Sequence, residues 1–313
     1  MAPKLHDDRR VSRRRQTTRT IPDHANLCIE DAALESYGVL AEIARGGMST
    51  IYLGEDRATG ERVAIKALDA YYVDHSDLVL RLLGEHELAK RARHPGLLDI
   101  RCAEQTSQGV PYLVMEYLDG ESLRALVDRR SLPPPSILAI AAQVARAVAA
   151  LHAAGIVHCD IKPDNVFVLY ELGPGGMPRV KVIDYGVARS IHEAPATDSM
   201  IAGTPAFMAP EQWRGAPVPA SDVYALGCLL YELITGRPLF SGSLPQLMTA
   251  HCEQLPQRPS ASCPDLAPEL DRLIMRMLAK DPEMRPSMLE VDAALAQLVS
   301  SELDEAAVLQ ATG

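Results

Sequence analysis

Aromatic side chains are scarce in this sequence of 313 residues. Phe, Trp and Tyr together make up 4% of it, with a single Trp and three Phe. Hydrophobic residues still account for 47%, so Ala, Leu, Val and Ile must fill the core. Charged residues make up 23%, an ordinary proportion that excludes long disorder and fibrous or collagen-like structure. The length allows one large domain or two modest ones.

Paired cysteines are also lacking. The six cysteines are scattered, and no two of them form a Cys-x-x-Cys pair. A chain of this length does not need disulfides to stabilise its fold. Scattered thiols are typical of a reducing compartment, and we therefore expect a cytoplasmic protein.

The sequence has no long uninterrupted apolar run. Its basic N-terminus is not followed by the apolar segment of a secretory signal. The longest apolar stretch, 137–157, contains Gln143, Arg146 and His152. These polar interruptions favour a buried amphipathic helix, so we expect no membrane span.

Charge is unevenly distributed along the chain. The formal net charge is −10, yet residues 1–24 contain seven Lys or Arg against three Asp, a local charge of +4 that leaves −14 on the rest. A basic arm can bind nucleic acid or anionic lipid, but a solvated, disordered tail is the simpler interpretation of residues 1–36. Because the remaining chain is acidic, we do not expect nucleic acid as a partner.

Periodicity divides the chain into a β-rich part and a helical part. Alternation over 37–72 predicts an antiparallel meander, with turns at Gly46-Gly47 and 58–60. Ser76 is the expected N-cap of a helix that ends near Arg93. The other predicted elements are strands near 97–103, 112–116, 157, 166–169 and 180–183, and helices over 136–154, 219–235, 244–253, 267–279 and 287–299. We therefore expect an α+β architecture, with a small β-rich lobe joined near 116–120 to a larger helical lobe.

Two motifs in the β-rich part have groups that could contact phosphates. The glycine-rich hairpin 44–51 would let backbone N–H groups approach a phosphate, although a plain β-turn would look much the same. Lys66 ends a predicted strand and could reach a triphosphate from there. A lysine on an edge strand, however, usually faces solvent.

Two further motifs lie in the helical part. In the loop 158–165, Asp160 can accept a hydroxyl proton, Lys162 can neutralise a transferring phosphoryl group and Asn165 can bind Mg²⁺ through oxygen. A structural turn rich in Asp, Pro and Asn is the alternative. Asp184-Tyr185-Gly186 follows an apolar strand and could hold a metal ion, but the tripeptide alone means little.

The order and spacing of these motifs, followed by Ala209-Pro210-Glu211, resemble those of the eukaryotic-like (Hanks-type) serine/threonine protein kinase family. Gly46-Gly47-Met48 and His94-Pro95 are similar to its bacterial branch. The resemblance covers about 37–298 and implies the two-lobed protein kinase fold. In that fold a small antiparallel β lobe with one helix would span 37–115, a hinge 116–120 and a larger, mainly helical lobe 121–298, leaving a short acidic tail at 299–313.

The resemblance implies ATP as the phosphoryl donor and Mg²⁺, or Mn²⁺ in its place, as the metal. The implied catalytic residues are Asp160, Lys162, Asn165 and Lys66, and the implied metal ligands are Asn165 and Asp184. The implied ATP-binding residues are Ala44, Gly46, Gly47, Ser49, Ile51, Ala64, Lys66, Glu85, Met115, Glu116, Leu118 and Phe167. For the apolar residues Ile51, Ala64 and Phe167, plain core packing is an equally compatible role.

Two glutamates could pair with Lys66. Residues two apart on a helix do not share a face, so Glu85 and Glu87 cannot both point to it. Glu85 shares a face with Leu78 and Leu82, and the family's spacing back from His94-Pro95 also selects it. We therefore expect Glu85 to be the partner and Glu87 to be a surface charge.

The resemblance also indicates the substrate class. Lys162 and Gly203-Thr204-Pro205 resemble serine/threonine rather than tyrosine kinases, and Thr204 is implied to touch Asp160 and Lys162. The Ala209–Glu211 segment favours protein substrates over a small-molecule phosphotransferase, which stays open as an alternative. Glu211 is implied to pair with Arg285 as scaffold, together with Asp222. Candidate phosphorylation sites are Thr197, Ser199 and Thr204, and a homodimer through the small lobe is an open alternative.

Four positions depart from the family pattern. Ala44 and Ser49 replace glycines, Tyr185 replaces phenylalanine, and Cys159 replaces the arginine before the catalytic aspartate. That arginine binds a phosphate on the activation segment, which cysteine cannot do, so we expect activity that does not depend on such phosphorylation in the usual way. Cys159 is interpreted as a buried inert thiol, with a redox-sensitive thiol as the alternative. These departures leave a pseudokinase that binds partners as an alternative function.

Overall fold

The computed structural model describes residues 34–190 and 203–312, with only the backbone described for 302–312. Residues 1–33 of the predicted basic arm, and the candidate phosphorylation sites Thr197 and Ser199, lie outside the described residues.

The first six elements form the small lobe. They are strands β1 (Tyr37–Arg45), β2 (Ser49–Asp56) and β3 (Arg62–Leu68), helix α1 (Ser76–Arg91), and strands β4 (Ile100–Gln105) and β5 (Pro111–Glu116). The strands form one sheet in the order β1-β2-β3-β5-β4, and every neighbouring pair is antiparallel. The predicted meander is therefore confirmed, with both turns where the glycines indicated.

Strand β3 divides its side chains between the two faces of the sheet. Val63 and Ile65 are fully buried in a cluster on one face, whereas Ala64 and Leu68 belong to the main core on the other. Because successive side chains of a strand alternate, Lys66 emerges on the face that carries Ala64 and Leu68. Helix α1 also packs against that main core through Leu82 and Ala89.

The predicted start of α1 is wrong by one residue. The N-cap is His75, whose carbonyl oxygen accepts the hydrogen bond from Val79 N at 3.1 Å, and no side chain of the described residues caps the helix. Ser76 is instead the first helical residue. Strand β4 also begins later than expected, because Leu98 N donates to Val182 O at 3.0 Å and so joins residues 97–98 to the other lobe.

The remaining elements form the large lobe. They are β6 (Gly120–Ser122), α2 (Leu123–Arg129), α3 (Pro134–Ala153), β7 (Ile156–Val157), β8 (Val166–Leu169), β9 (Arg179–Val182), β10 (Arg189–Ser190), α4 (Pro219–Thr235), α5 (Leu244–Glu253), α6 (Pro268–Met277) and α7 (Met288–Thr312). Strands β6, β8 and β9 form one small antiparallel sheet, and β7 pairs with β10. The expected two-lobed α+β architecture is confirmed.

Helix α3 lies at the centre of the large lobe and packs against α4, α7 and β9. It is long and apolar enough to cross a membrane by length and composition, but 67% of its most apolar window is buried inside the protein. Burial among other helices is the behaviour of a core helix, which agrees with the prediction from Gln143 and Arg146.

The periodicity of the sequence did not predict the shortest helices and strands. Helix α2 has only seven residues, and β6 and β10 have three and two, which is too short for a recognisable repeat. Helix α7 continues to Thr312, beyond the predicted helix end at 299 and through most of the predicted tail.

Candidate active site

A cleft of about 350 Å³ lies between the two lobes. Its lining includes nine of the predicted site residues, namely Gly46, Gly47, Ser49, Ile51, Lys66, Glu85, Met115, Asn165 and Asp184. Five predicted ATP-binding residues do not line it, namely Ala44, Ala64, Glu116, Leu118 and Phe167. The cleft thus unites residues from β2, β3, α1 and β5 with residues that flank β8 and β9.

Lys66 lies between two carboxylates at the back of the cleft. Its Nζ donates to both carboxylate oxygens of Glu85, at 2.8 and 2.9 Å, and lies 3.4 Å from Asp184 Oδ1. Glu87 is exposed and pairs with Lys90 instead. Of the two candidate glutamates, Glu85 is therefore the one in contact with Lys66.

The buried charges around Lys66 change one another's pKa. Burial alone would lower the pKa of Lys66, but the carboxylates of Glu85 and Asp184 raise it above its ordinary value. Burial would likewise raise the pKa of Asp184, but Lys66 and the Gly186 N–H hold it below its ordinary value. Lys66 thus stays charged beside an ionised Asp184.

Hydrogen bonds within the turn and to another part of the chain hold Asp184-Tyr185-Gly186 in place. Asp184 has a positive φ of 68°, and its Oδ1 accepts a hydrogen bond from Gly186 N at 3.1 Å. Tyr185 is buried, and its hydroxyl donates to Leu98 O at 3.3 Å. The hydroxyl that distinguishes tyrosine from phenylalanine therefore has a hydrogen-bond partner.

Arg81 was missed by the sequence analysis, although it lines the cleft and its Nε donates to Gly186 O. The spacing contained the information, because Arg81 and Glu85 are four residues apart on α1 and share a helical face. Helix α1 therefore contacts both Lys66 and the Asp184 turn.

The catalytic-loop candidates form one hydrogen-bonded group. Asp160 Oδ1 accepts from Thr204 Oγ1 at 2.7 Å, and its Oδ2 lies 2.8 Å from Lys162 Nζ. Lys162 Nζ also donates to Thr204 Oγ1 at 2.7 Å. Asn165 Nδ2 donates to Asp160 Oδ2 at 3.0 Å. The amide nitrogen of Asn165 is thus engaged by Asp160, which leaves the amide oxygen for a ligand.

A buried aspartate holds this loop in place. Asp222 accepts hydrogen bonds from His158 N at 2.9 Å and Cys159 N at 2.8 Å, and lies 2.8 Å from His152 Nε2. Cys159 adopts a positive φ of 66°, a strained conformation for a residue with a Cβ atom. The two backbone N–H hydrogen bonds to the Asp222 carboxylate stabilise the chain just before Asp160.

Cys159 is buried, and among the described residues no cationic side chain forms a hydrogen bond with its thiol. Sγ donates to Val157 O at 3.6 Å, and burial raises the pKa of the thiol well above its ordinary value. A thiol of raised pKa is a poor nucleophile, which favours the inert over the redox-sensitive interpretation.

The segment after Thr204 is fixed by a buried ion pair. Arg285 donates to Glu211 through Nη1 at 2.7 Å and through Nη2 at 3.0 Å, and Ser221 Oγ donates to the same carboxylate at 2.5 Å. The arrangement is bidentate, which gives the pair a defined geometry. It connects the Ala209–Glu211 segment to α4 and to the chain before α7.

The chemistry of the oxygen donors on the cleft fits a Mg²⁺ ion. Among residues 34–190 and 203–301, no cluster of three or more His, Cys, Asp or Glu side chains could hold a metal unaided. Mg²⁺ in phosphotransferases usually takes one or two protein oxygens and completes its shell with phosphates and water. The Asn165 amide oxygen and the Asp184 carboxylate, both on the cleft, suit that incomplete shell.

Comparison with known proteins agrees with this geometry. The family model described as "Protein kinase domain" matches residues 37–296. The chain is 39% identical over 254 residues to the serine/threonine-protein kinase Pkn1 of Myxococcus xanthus, covering 80% of this chain and 36% of that protein. It is 35% identical over 271 residues to the serine/threonine-protein kinase PknB of Mycobacterium tuberculosis, covering 83% of this chain and 42% of that protein. The chain thus spans less than half the length of these curated relatives.

Proposed function

This chain belongs to the Hanks-type bacterial serine/threonine protein kinase family, and we propose that it transfers the γ-phosphoryl group of ATP to Ser or Thr hydroxyls of proteins, itself included. The observation that carries the proposal is the convergence of Lys66, Glu85, Asn165 and Asp184 on one cleft. Asp160 lies beside it, bonded to Asn165. These residues match the lysine, the helix glutamate, the catalytic aspartate and the two metal-binding residues that phosphoryl transfer in this family uses.

In the proposed mechanism, Asp160 orients the acceptor hydroxyl and accepts its proton. Its two oxygens already accept from Thr204 and Asn165, so the carboxylate is held in one orientation. Lys162, at 2.8 Å from Asp160, places a positive charge where the phosphoryl group passes. A Mg²⁺ ion bound at Asn165 and Asp184 would supply positive charge to neutralise the phosphates. Catalysis then rests on positioning and on electrostatic stabilisation.

Asn165 and Asp184 would hold the metal, and Lys66 would contact the phosphates. Because Glu85 holds Lys66 Nζ through both of its oxygens, the ammonium is positioned before ATP arrives. The hinge 116–120 would bind the adenine edge through its backbone. Glu116 at its start is fixed by Lys181 Nζ at 2.5 Å and by Asp99 N at 2.8 Å, which supports a rigid hinge.

Several finer assignments belong to the same proposal. The kinase domain would comprise a small lobe at 37–115, the hinge and a large lobe at 121–298, acting on protein substrates in the cytoplasm. Ala44, Ala64, Leu118 and Phe167 would complete the nucleotide pocket with the residues that line the cleft. The pseudokinase and small-molecule alternatives have no observation in their favour, since the Lys66–Glu85 pair is assembled and the Glu211–Arg285 pair is in place.

The proposal is tested by incubating the purified protein with labelled ATP, Mg²⁺ and a generic basic protein. We expect label on the protein itself and on the added substrate. Asp160→Asn should abolish both signals, because no other described carboxylate contacts Thr204 and Lys162 together. Asp164→Asn, an exposed neighbour in the same loop, is the matched control and should retain activity. Absence of transfer by the unaltered chain would contradict the proposed function.

A further inference from the structure

Helices α4 and α5 and the chain that connects them enclose a cavity that the proposed mechanism does not use. Its volume is about 700 Å³. The buried residues Tyr231, Phe240 and Ala250 form its floor, and exposed, mostly polar residues form its walls. Arg237 is the one charged residue of its lining within the described part of the chain. The lining residues that determine its chemistry are Tyr231, Arg237, Phe240, Thr249, Gln254 and Gln257.

Arg237 supplies the positive charge of the cavity. Its Nη2 donates to Gln257 Oε1 at 3.3 Å and to Ser262 Oγ, and both of these acceptors are neutral. Among the described residues its guanidinium forms no ion pair with a carboxylate. A guanidinium has five N–H donors, so these two hydrogen bonds leave donors for a further acceptor.

Tyr231 has a hydroxyl group without a hydrogen-bond partner at the floor of the cavity. The residue is only 2% exposed, and its hydroxyl bonds to none of the described residues. The side-chain atoms of the described chain that are sealed from solvent without a partner are Trp213 Nε1 and His251 Nε2. The Tyr231 hydroxyl is therefore accessible, and the cavity is the space that Tyr231 lines. An acceptor that enters the cavity would satisfy this donor.

A second cation lies behind the floor. Lys280 Nζ lies 5.0 Å from the centroid of the Phe240 ring. It donates to the carbonyl oxygens of Ala250 at 3.1 Å and His251 at 2.7 Å, and it forms no ion pair with any described carboxylate. Although the whole chain carries a net charge of −10, these two cations without carboxylate partners give the cavity a locally positive potential.

The donors of the cavity suit a carboxylate group. The planar guanidinium of Arg237 matches the two oxygens of a carboxylate, and hydrogen bonds between such charged groups are stronger than neutral ones. The hydroxyls of Tyr231 and Thr249 can donate to the same group. Because the described lining contains no carboxylate, an incoming one meets no like charge there.

The cavity is open to solvent, which favours a side chain of a larger partner over a free small molecule. Arg237 and Gln254 are exposed, whereas sites for small ligands usually bury most of the ligand. Near the cavity, Leu244 and Met248 lie one turn apart on α5 and are 57% and 43% exposed, and Leu255 after the helix is 82% exposed. A group of exposed apolar residues marks a surface that contacts proteins.

The floor of the cavity is connected to the segment that positions the substrate. The ring of Phe240 packs edge-on against His251 with a centroid distance of 5.1 Å, and His251 lies beside the backbone of Ala206. Ala206 is two residues after Thr204, whose hydroxyl donates to Asp160. A protein that presents a hydroxyl to Asp160 can therefore also reach the cavity with a more distant residue of its own chain.

We propose that this cavity is a docking site for a Glu or Asp side chain of the protein substrate, remote from the residue that is phosphorylated. The guanidinium of Arg237 binds the carboxylate, and the Tyr231 hydroxyl donates to it from the floor. The inference rests on the proposed function for the identity of the partner as a substrate. The carboxylate site itself is tested by binding, without any phosphoryl transfer.

The binding experiment uses the full chain and two libraries of labelled peptides that contain no Ser, Thr or Tyr. One library has Glu at a fixed position between randomised neighbours, and the other has Gln there. Fluorescence anisotropy measures the Kd of each. We expect the Glu peptides to bind about tenfold more tightly, as for hydrogen bonds to a charged group.

Substitutions in the cavity should remove this preference. In Arg237→Gln the Kd values of the Glu and Gln peptides should agree within about twofold. Thr249→Glu, at an exposed wall position, should have the same effect, because its carboxylate would occupy Arg237 from within the chain. Tyr231→Phe removes only the hydroxyl and should reduce the preference about threefold. Arg272→Gln removes the same charge from α6, where Arg272 pairs with Glu269, and as the matched control should leave the preference unchanged.

A kinetic experiment tests whether the site acts on substrates. A Ser-containing acceptor peptide is joined by a flexible linker to a segment that contains Glu, or to the same segment with Gln. For the unaltered enzyme the Glu segment should lower KM about tenfold and leave kcat unchanged, because docking adds binding energy and does not alter the transferred group. Arg237→Gln should raise KM for the Glu substrate to that of the Gln substrate.

Three results would overturn the proposal. The first is equal binding of Glu and Gln peptides by the unaltered chain. The second is a preference for Glu that persists in folded Arg237→Gln and Thr249→Glu variants, as judged by thermal unfolding. The third is binding of a phosphoserine peptide, or of free glutamate, about tenfold tighter than that of the Glu peptides, which would replace the proposed occupant. Carboxylate binding without phosphoryl transfer to any protein would instead contradict the proposed function.

Discussion

At the scale of single residues, Lys66 shows how burial and charge act together. Its ammonium donates to Glu85 and lies 3.4 Å from Asp184, which is 118 residues away in the sequence. A buried ion pair is costly to break from one side, because the remaining charge loses its partner. Substitution of Glu85 is therefore a more informative test of this ion pair than substitution of Lys66 itself.

Glu85→Gln should lower kcat/KM by about tenfold to a hundredfold, because Lys66 would no longer be fixed for the phosphates. Steady-state kinetics with ATP as the varied substrate measure this loss. Glu87→Gln is the matched control, since Glu87 is exposed and contacts Lys90, and it should remain within about twofold of the unaltered enzyme. Equal losses in both variants would contradict the pairing.

Cys159 should resist alkylation in the native protein. Its thiol is buried and burial raises its pKa, so little thiolate is available to react. Iodoacetamide at pH 8, followed by peptide mass spectrometry, should leave Cys159 unmodified until denaturant is added. Cys252, which is only partly buried, is the internal control. Rapid native labelling of Cys159 would restore the redox-sensitive alternative.

At the scale of elements, hydrogen bonds connect the catalytic loop 158–165 to helix α4. Asp222 of α4 holds the backbone of His158 and Cys159, and Gln212 Nε2 donates to Cys159 O at 2.8 Å. These bonds come from the large lobe, and within the described part of the chain the thiol of Cys159 donates to Val157 O alone. The loop is therefore ordered by contacts that do not involve a phosphate.

Thr197→Ala combined with Ser199→Ala should retain most of the activity. Cys159 has no guanidinium with which to bind a phosphate on the activation segment, and the loop before Asp160 is already held by Asp222. Initial rates on the same basic protein measure the effect. A loss of more than about tenfold would show that phosphorylation of this segment is required after all.

The short elements could not be predicted from periodicity, because contacts with neighbouring residues and elements stabilise them. Helix α2 has seven residues, fewer than two full turns of a repeat. What stabilises it is the Ser122 cap and the burial of Leu123 and Leu126. Helices α4 and α5, which are longer and strongly patterned, begin and end where the sequence predicted.

At the scale of the whole molecule, the large lobe buries polar groups that affect its stability. His251 of α5 is fully buried, its Nδ1 lies 3.0 Å from Tyr224 Oη, and its ring packs edge-on against Phe240 with a centroid distance of 5.1 Å. Burial, with the nearby charge of Lys280, lowers the pKa of His251 from 6.5 to about 4. His251 is therefore neutral in the folded protein at pH 7.

The stability contributed by neutral His251 should be complete above pH 6.5 and should be lost as the pH falls from 6.5 toward 4. In that window the unfolded chain binds a proton that the folded chain excludes, so acid favours unfolding. Urea unfolding at successive pH values measures this slope. His251→Gln should flatten it, whereas His75→Gln, at an exposed position, should not. An unchanged slope in His251→Gln would assign the acid sensitivity to other groups.

The sequence by itself determined the two lobes, most long elements and the residues able to carry the chemistry. Those features depend on local patterns, such as the alternation of β2 and β3 and the spacing of Asp160, Lys162 and Asn165. The tertiary structure alone decided which of these residues meet. It brought Lys66 to Asp184 across 118 residues and added Arg81 to the cleft. Such contacts depend on how helices and sheets pack against one core. A local sequence pattern does not specify which distant residues that packing brings together.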